Sequence, residues 1–595
     1  MNSSHHGVRA DVYTQVLIVG GGPAGLTASL SLSRLGVPHI VVNRYPSTAH
    51  TPRAHIVNQR TLEIMRDLGI EGRILEKAIP NELMTNNIWF MSMAGDEVVR
   101  TQAWGGGENH FSAYRLASPS LICNLPQHEF EPLLVDAIEE AAIGEIRFGH
   151  EFTRFEQDED GVTAWVTHRA SERTYTIRAK YLIGADGARS RVMEQAGLKL
   201  EGSGDLGQIC FTWLRADLRR YVEHRPAVLF WRIDFFTAPE EGGSFICVKP
   251  WNEWIVSWMI DPSKPFDPND QATLETRVRS AIGDRTTAVE IINASVWSVN
   301  RLYAPEYANG RVMCMGDAVH RHPPTNGLGQ NTSIADAFNL AWKLKLVLDG
   351  KAAPSLLATY STERAPIGRQ IVERANQTLV EMGTIAAAIG ITPGLPLEDR
   401  WERIQTLHDA TDEARARRRA LDEAVELQDF GFNAIGVELG YRYRGGARVD
   451  DGTPEPVPAA HPDICYQPTT WPGARLPHAW LELDRRRVST LDIVGHGRFV
   501  LLTGPGGAAP WGEAAEKAKR LTGVEVAVQP IGSAYGGLRD PLGQWAKVRE
   551  VDDSGAVLVR PDAHIAWRSM TSADSAELPR VMATILGGSQ QSLRA

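Results

Sequence analysis

The stretch Val16–Gly25, reading Val-Leu-Ile-Val-Gly-Gly-Gly-Pro-Ala-Gly, constrains the chain more than any other. Val16 to Val19 is a short apolar run of the kind buried in a parallel sheet, and a helical pattern follows Gly25 to about Leu35. Between them stands Gly20-x-Gly22-x-x-Gly25. At this spacing the first glycine permits a tight turn, the second lets backbone approach a pyrophosphate, and the third lets helix and strand pack closely. Free N–H groups and the dipole at the helix start favour negative charge there. In this strand–turn–helix context the glycines predict an α/β fold with a dinucleotide site.

Length and composition bound the rest. A chain of 595 residues has room for three or four domains. Its formal net charge of -10 provides no basic footprint, so nucleic acid is not expected as a partner. No run of about 18 apolar residues occurs, so no membrane span is expected. Residues 1–14 are polar and expected to fray, with His5 and His6 as tail composition rather than a metal site. The cysteines Cys123, Cys210, Cys247, Cys314 and Cys465 form no CxxC pair. They are expected to be reduced thiols of a cytoplasmic protein, and no metal site is expected.

Along the chain, a second strand is expected over Val37–Asn43. Where a dinucleotide fold carries an acid for the ribose, this chain has Asn43 followed by Arg44. Thr51-Pro-Arg-Ala-His-Ile-Val-Asn-Gln-Arg60 leads into a helix of about Arg60–Leu68. Arg53 and His55 on that loop are either solvated or ligand contacts. A helix is expected from Gln127 to Ala142. Ile146–Phe155, Val162–Thr167 and Tyr175–Ala179 alternate around Asp160-Gly161, as a small antiparallel sheet does. Tyr181-Leu-Ile-Gly-Ala-Asp-Gly187 is again strand then turn, placing Asp186 at a strand's carboxyl end. Residues 205–300 are rich in strand patterns and aromatic rings, most of them core.

A third strand end follows in Arg311-Val-Met-Cys-Met-Gly-Asp317, continuing through Pro323-Pro-Thr-Asn-Gly-Leu-Gly-Gln-Asn331. The helix after it runs to about Leu348, with Ile334, Phe338 and Trp342 as a buried stripe. Leu356–Leu379 and Arg400–Glu426 are helical by pattern, with Arg415, Arg417, Arg418 and Arg419 on a solvated face. Residues 445–478 are rich in Pro and Gly and mark a boundary. Beyond them lies a small α/β unit: strands at Phe499–Thr503, Val524–Val528, Ala556–Val559 and Ile565–Trp567, and a helix at Trp511–Thr522.

The three landmarks, with TPRAHIVNQRTLEIMRDLGI, YLIGADGARSRV and GDAVHRHPPTNGLGQNTSIADAFNLAWKL, resemble the FAD-dependent aromatic hydroxylases over nearly the whole chain. The resemblance is to the branch that acts on phenols. It implies a Rossmann-like FAD-binding domain of the para-hydroxybenzoate hydroxylase type, with an inserted mixed β-sheet substrate domain and a C-terminal thioredoxin-like domain. The implied division is 1–200 and 301–445 for FAD, 201–300 for substrate and 446–595 for the C-terminal unit. That unit lacks a CxxC, so packing or oligomer contact is its expected role, and a homo-oligomer is expected.

The resemblance implies site roles as well. Gly20, Gly22 and Gly25 would hold the FAD pyrophosphate, with Asn43 and Arg44 near the adenosine and Arg53 and Gln127 along the phosphates and ribityl chain. Asp186 would meet the FAD edge and the nicotinamide route, and Asp317 the ribityl hydroxyls. Gly327, Leu328, Gly329 and Asn331 would set backbone N–H groups beside the isoalloxazine. The implied activity is hydroxylation of a phenolic or hydroxylated heteroaromatic ring with NAD(P)H and O2 through a C4a-hydroperoxyflavin. His55 would be the base at the substrate hydroxyl, since an imidazole pKa of about 6.5 suits proton transfer near neutrality. Trp231 would line the substrate pocket.

Alternatives are a tailoring hydroxylase of a larger polyketide or hydroxypyridine, a flavin-dependent epoxidase or halogenase, and a non-catalytic FAD-binding protein. Trp251-Asn-Glu-Trp254-Ile does not reproduce the halogenase WxWxIP segment. The intact Asp317 and PPTNGLGQN loop speak against the non-catalytic reading.

Overall fold

The computed structural model describes residues 10–238, 241–532 and 537–588, so His5 and His6 lie outside the described residues. The glycine stretch begins a parallel sheet. Strand β1 (Val12–Val19) leads through the turn into helix α1 (Pro23–Arg34), and β2 (His39–Asn43) returns beside β1. Outside β2 lies β3 (Gly144–Phe148); on the other side of β1 lie β4 (Arg173–Gly184) and then β5 (Val312–Cys314), all parallel. Helices α2 (Gly329–Leu348) and α3 (Ser355–Met382) follow β5.

Several expected boundaries move. Residues 12–14 do not fray: they extend β1 against Ile177–Ala179, and the Asp11 carboxylate accepts bonds from the Thr176 amide and hydroxyl. Tyr175–Ala179 and Tyr181–Ile183 are one strand doing two jobs. The first half of β4 pairs antiparallel with Val162–His168, and β4 runs parallel beside β1 and, at its end, β5. Ile146–Phe155 is two strands because Gly149, with φ +74°, turns the chain between them. The expected Arg400–Glu426 helix is broken: Leu397–Gln405 and Asp412–Leu427 are separate, and Arg417 and Arg418 turn inward to satisfy carbonyls at the break.

The aromatic-rich region forms a second, seven-stranded sheet. Its order is Glu290–Ser298, Gln208–Arg215, Glu253–Ile260, Ser244–Lys249, Leu229–Arg232, Asn86–Phe90 and Glu97–Gln102. The last two strands come from outside 201–300, and Asn86–Phe90 joins by parallel pairing with Leu229–Arg232. No local pattern announces a pairing that distant. Trp89, Trp254 and Trp258 are buried within this sheet's core.

A further sheet, also seven-stranded, with helices Ala508–Thr522 and Leu578–Ile585, makes the C-terminal unit. It is joined to the rest by buried ion pairs. Arg475 grips Glu63 through two nitrogens, and Arg560 grips Glu363 through bonds of 2.7 and 2.8 Å. Lys343 on α2 shares Glu363 at 2.8 Å. Helix α2 therefore carries more than an apolar stripe: from Gln330 to Leu344 it is buried on every side, and Asp336, Asn339 and Lys343 form a second, paired polar stripe. Arg364 and His320 outweigh the desolvation of Asp336 and hold its carboxyl below its ordinary value.

Candidate active site

Gly20, Gly22 and Gly25 divide their labour as the spacing predicts. A Cβ on Gly20 would sit 2.1 Å from the Ala185 carbonyl oxygen, and Gly20 has φ +113°. A Cβ on Gly25 would sit 2.0 Å from the Gly20 carbonyl oxygen. These two glycines are demanded by the fold itself. A Cβ on Gly22 would meet nothing nearer than the Glu131 carboxylate at 4.0 Å, so this backbone faces open space. Helix α1 starts there with no side-chain cap and no acid in its first turn, leaving its first amides available to an anion. Asn43 lies against Gly21, and Arg44 is exposed, stacked on Tyr45.

The ends of β1, β4 and β5 stand side by side. A Cβ on Gly316 would lie 3.3 Å from that of Ala24, so the Asp317 turn abuts the start of α1. Asp317 and Asp186 look alike in sequence and differ in the structure. Asp317 is exposed at the strand end. Asp186 bonds to its own chain: one carboxylate oxygen accepts from the Ser190 hydroxyl at 2.5 Å and the other from the amides of Arg191 and Val192. The carboxylate thus caps the short helix Arg191–Gln195, a role beside the cofactor edge that the resemblance implies for it, and the residue stays half-buried at the strand end. Behind Asp317, the Gly316 amide is held by Asp336 at 3.2 Å.

Two loops that were separate motifs in the sequence meet here. The backbone of Ala54 and His55 pairs with Gln127 and Leu125, each at 2.8 Å. Arg53 is exposed, and its charge reaches the buried Glu131. The Gln127 amide nitrogen is committed to Glu131 at 2.6 Å, so any ligand contact of this side chain falls to its oxygen. Asn331 clamps the loops together: its nitrogen donates to the carbonyls of Ile56 and Gly327, and its oxygen accepts from the Asn58 amide and the Thr61 hydroxyl. Asn326 and Gly327 are both left-handed, with φ of 64° and 63°, and the Gly327 amide turns inward to Pro324. Of the four residues expected to offer amides, Gly327 has its own amide engaged within the turn. Helix α2 begins after Leu328 without a side-chain cap, and that uncapped end is where free N–H groups remain.

His55 is half-buried. Its Nδ1 lies 2.5 Å from Asn124 Oδ1, and Asn124 in turn donates to the Cys247 carbonyl of the aromatic sheet at 3.2 Å. Desolvation pushes the imidazole pKa down to about 4, against a smaller upward pull from Asn124. The ring is therefore neutral at pH 7, further below its ordinary value than residue type alone suggests. Trp231 belongs to the same sheet, stacked on Trp89 at 5.9 Å and edge-on to Phe235 at 5.7 Å. Its buried Nε1 has no protein partner among the described residues. Sequence reasoning missed Asn124, Glu131, Asn58 and Asp336. Only Asn58, placed as the N-cap of Gln59–Asp67, carried a local signal.

An open glycine turn, two uncapped helix starts and a free carboxylate at adjoining strand ends define a flavoprotein of the dinucleotide-binding class, with a ring-lined sheet beside it. Comparison with known proteins agrees. A family model described as FAD binding domain matches residues 13–375, and one described as aromatic-ring hydroxylase, C-terminal, matches 469–589. The chain is 45% identical to 2,4-dichlorophenol 6-monooxygenase of Delftia acidovorans, over 94% of this chain and 95% of that one. It is 41% identical to phenol 2-monooxygenase of Pseudomonas sp. (strain EST1001), over 94% and 90%. The crystal structure of the flavin-dependent monooxygenase PieE in complex with FAD and substrate superposes with a TM-score of 0.95 at 55% identity, covering 98% of this chain and all of that one. The chain belongs to the FAD-dependent aromatic-ring hydroxylases and is a flavin monooxygenase.

Proposed function

We propose that this enzyme hydroxylates a ring carbon of a phenol or hydroxylated heteroaromatic, with His55 accepting the hydrogen bond of the ring hydroxyl and drawing off its proton. The observation that carries this reading is the neutral His55, held where the loop from the glycine-turn domain meets the aromatic sheet. A phenol ring becomes more electron-rich as its proton is withdrawn, and an electrophilic oxygen needs an electron-rich carbon. A neutral imidazole can accept that proton; an imidazolium cannot.

The residues fit FAD: the open backbone at Gly22, the uncapped starts of α1 and α2, and the exposed Asp317 match a ligand with a pyrophosphate, a polyol and a ring that becomes anionic. FAD, when bound, supplies hydride acceptance from NAD(P)H and activation of O2. Gly22 and the first amides of α1 would hold its pyrophosphate, Asn43 and Arg44 its adenosine, Arg53 and Gln127 its phosphates and ribityl chain, and Asp317 its ribityl hydroxyls. Amides at the Leu328–Gly329 end of α2 would stabilise the reduced ring's negative charge. Trp231 and Phe235 would wall the substrate pocket and exclude water. We propose further that the enzyme works in the cytoplasm as a homo-oligomer, which light scattering on the purified protein tests.

The test is His55→Ala assayed against a phenol and an alkene. Phenol hydroxylation should fall about 100-fold or more while the flavin is retained; unchanged phenol turnover would remove His55 from the mechanism. A second reading, tailoring of a larger natural product, draws support from the 34% identity to tetracenomycin A2 monooxygenase-dioxygenase of Streptomyces glaucescens and the 33% to a putative polyketide hydroxylase of Streptomyces halstedii. Mass spectrometry of products from simple phenols against polycyclic and pyridine substrates separates the two.

A further inference from the structure

We propose that Asn124 is a positioning residue: it holds His55 as the Nδ1–H tautomer and so leaves Nε2 as the nitrogen that takes the substrate's proton. The inference rests on the reading of His55 given above and extends it to a residue with no assigned role.

The argument is one of donors and acceptors. The Cys247 backbone carbonyl can only accept, so the Asn124 atom 3.2 Å from it is the amide nitrogen. The other end of the amide, the oxygen, therefore faces His55 Nδ1 at 2.5 Å. An amide oxygen also only accepts, so Nδ1 carries the hydrogen. A bare Nδ1 would set two lone pairs against each other at that distance. A neutral imidazole has one N–H, and Nε2 is left with its lone pair. When Nε2 takes the hydroxyl proton, the new cation keeps its Nδ1–H bond to Asn124.

The amide cannot turn over easily. Asn124 is fully buried. Its backbone is bridged to Ile79 by two bonds, N–H to O at 3.0 Å and O to N–H at 2.8 Å, and its short strand pairs with Ile56–Val57 next to His55. Cys247 is itself tied through its amide to Val228 at 2.8 Å. Flipping Asn124 would oppose two carbonyl oxygens on one side and leave a donor against the ring on the other. Proton placement on His55 is thus dictated from the aromatic sheet, the element that would also wall the substrate.

The direct test is 15N NMR of histidine-labelled holoenzyme, with His55 identified by the signals lost in His55→Ala. A protonated, pyrrole-type Nδ1 and a pyridine-type Nε2 are expected; the reverse pattern overturns the inference whatever the variants do. The functional arm compares Asn124→Leu with Asn124→Asp on the phenol used for His55→Ala. The leucine removes the acceptor and should lower hydroxylation about 10-fold or more, with NAD(P)H still oxidised and the lost product appearing as H2O2. The aspartate keeps an acceptor facing Nδ1–H and should recover most of the hydroxylation. A role in packing alone predicts the opposite, because leucine fits a buried apolar site and a carboxylate does not. An Asn124→Leu enzyme within about two-fold of wild type, or an Asn124→Asp enzyme as impaired as Asn124→Leu, sinks the proposal. If His55→Ala hydroxylates normally, the base reading fails instead; if only His55→Ala is impaired, Asn124 alone loses its role.

Discussion

The glycine turn and the seam to the C-terminal unit are held by opposite means. The turn is built of backbone: Gly20 and Gly25 exist so that carbonyl oxygens can come where a side chain would collide. The seam is built of charge: Glu63 with Arg475, and Glu363 with Arg560 and Lys343, all removed from water. The first arrangement is local and tolerates no atom more. The second is long-range and tolerates no charge fewer.

The sharpest way to break this contrast is at the turn. Gly25→Ala puts a methyl 2.0 Å from a backbone oxygen that has nowhere to go, and should abolish the folded, flavin-retaining enzyme, whereas Gly22→Ala should fold and lose flavin affinity. Yield and absorbance of the purified variants decide it. At the seam, Arg475→Met leaves the buried Glu63 with only Arg60 and the Ser118 hydroxyl as partners and should cost about 1–3 kcal/mol in denaturant unfolding. A smaller effect is set by pH. Burial lowers both His478 and His564 to about 4, below the ordinary 6.5 of the unfolded chain. Their stabilising contribution is complete above pH 6.5 and is lost as pH falls toward 4, at about 1.4 kcal/mol per pH unit for each. Glu363 has the same sign at a lower pH: burial raises its pKa but Arg560 and Lys343 bring it down to about 2, so its contribution is lost only between pH 4.5 and 2. An acid melt should therefore show the histidine slope before the carboxylate one. The smallest effect separates the two strand-end acids: Asp317→Asn should weaken FAD binding about 10-fold, and Asp186→Asn should act on stability with little change in FAD affinity.

The same contrast explains what could be read from the residues alone. The glycine turn, β1, α1 and the loop before α2 were legible because their signals lie within about ten residues of one another. The capping role of Asp186 was not legible because Gly-Ala-Asp-Gly and Met-Gly-Asp-Ala look equivalent until Ser190 is seen closing back on the first. Asn326 and Gly327 gave a turn, but not that the Gly327 amide faces inward. The partners of Glu63 and His55 stand 412 and 69 residues away, and a lone Asn in Ile-Cys-Asn-Leu carries no pattern that points to a histidine. The pKa of His55 was missed for the same reason: it is set by the walls around the ring.

The seam has a consequence for anyone recombining these enzymes. A C-terminal unit grafted from a relative would bring its own guanidiniums to carboxylates on the Gln59–Asp67 helix and on α3, eight residues beyond His55 in the first case. A cassette exchange that mismatches either partner would strand a buried charge at the joint, so the two halves must be swapped with their ionic contacts as a matched set.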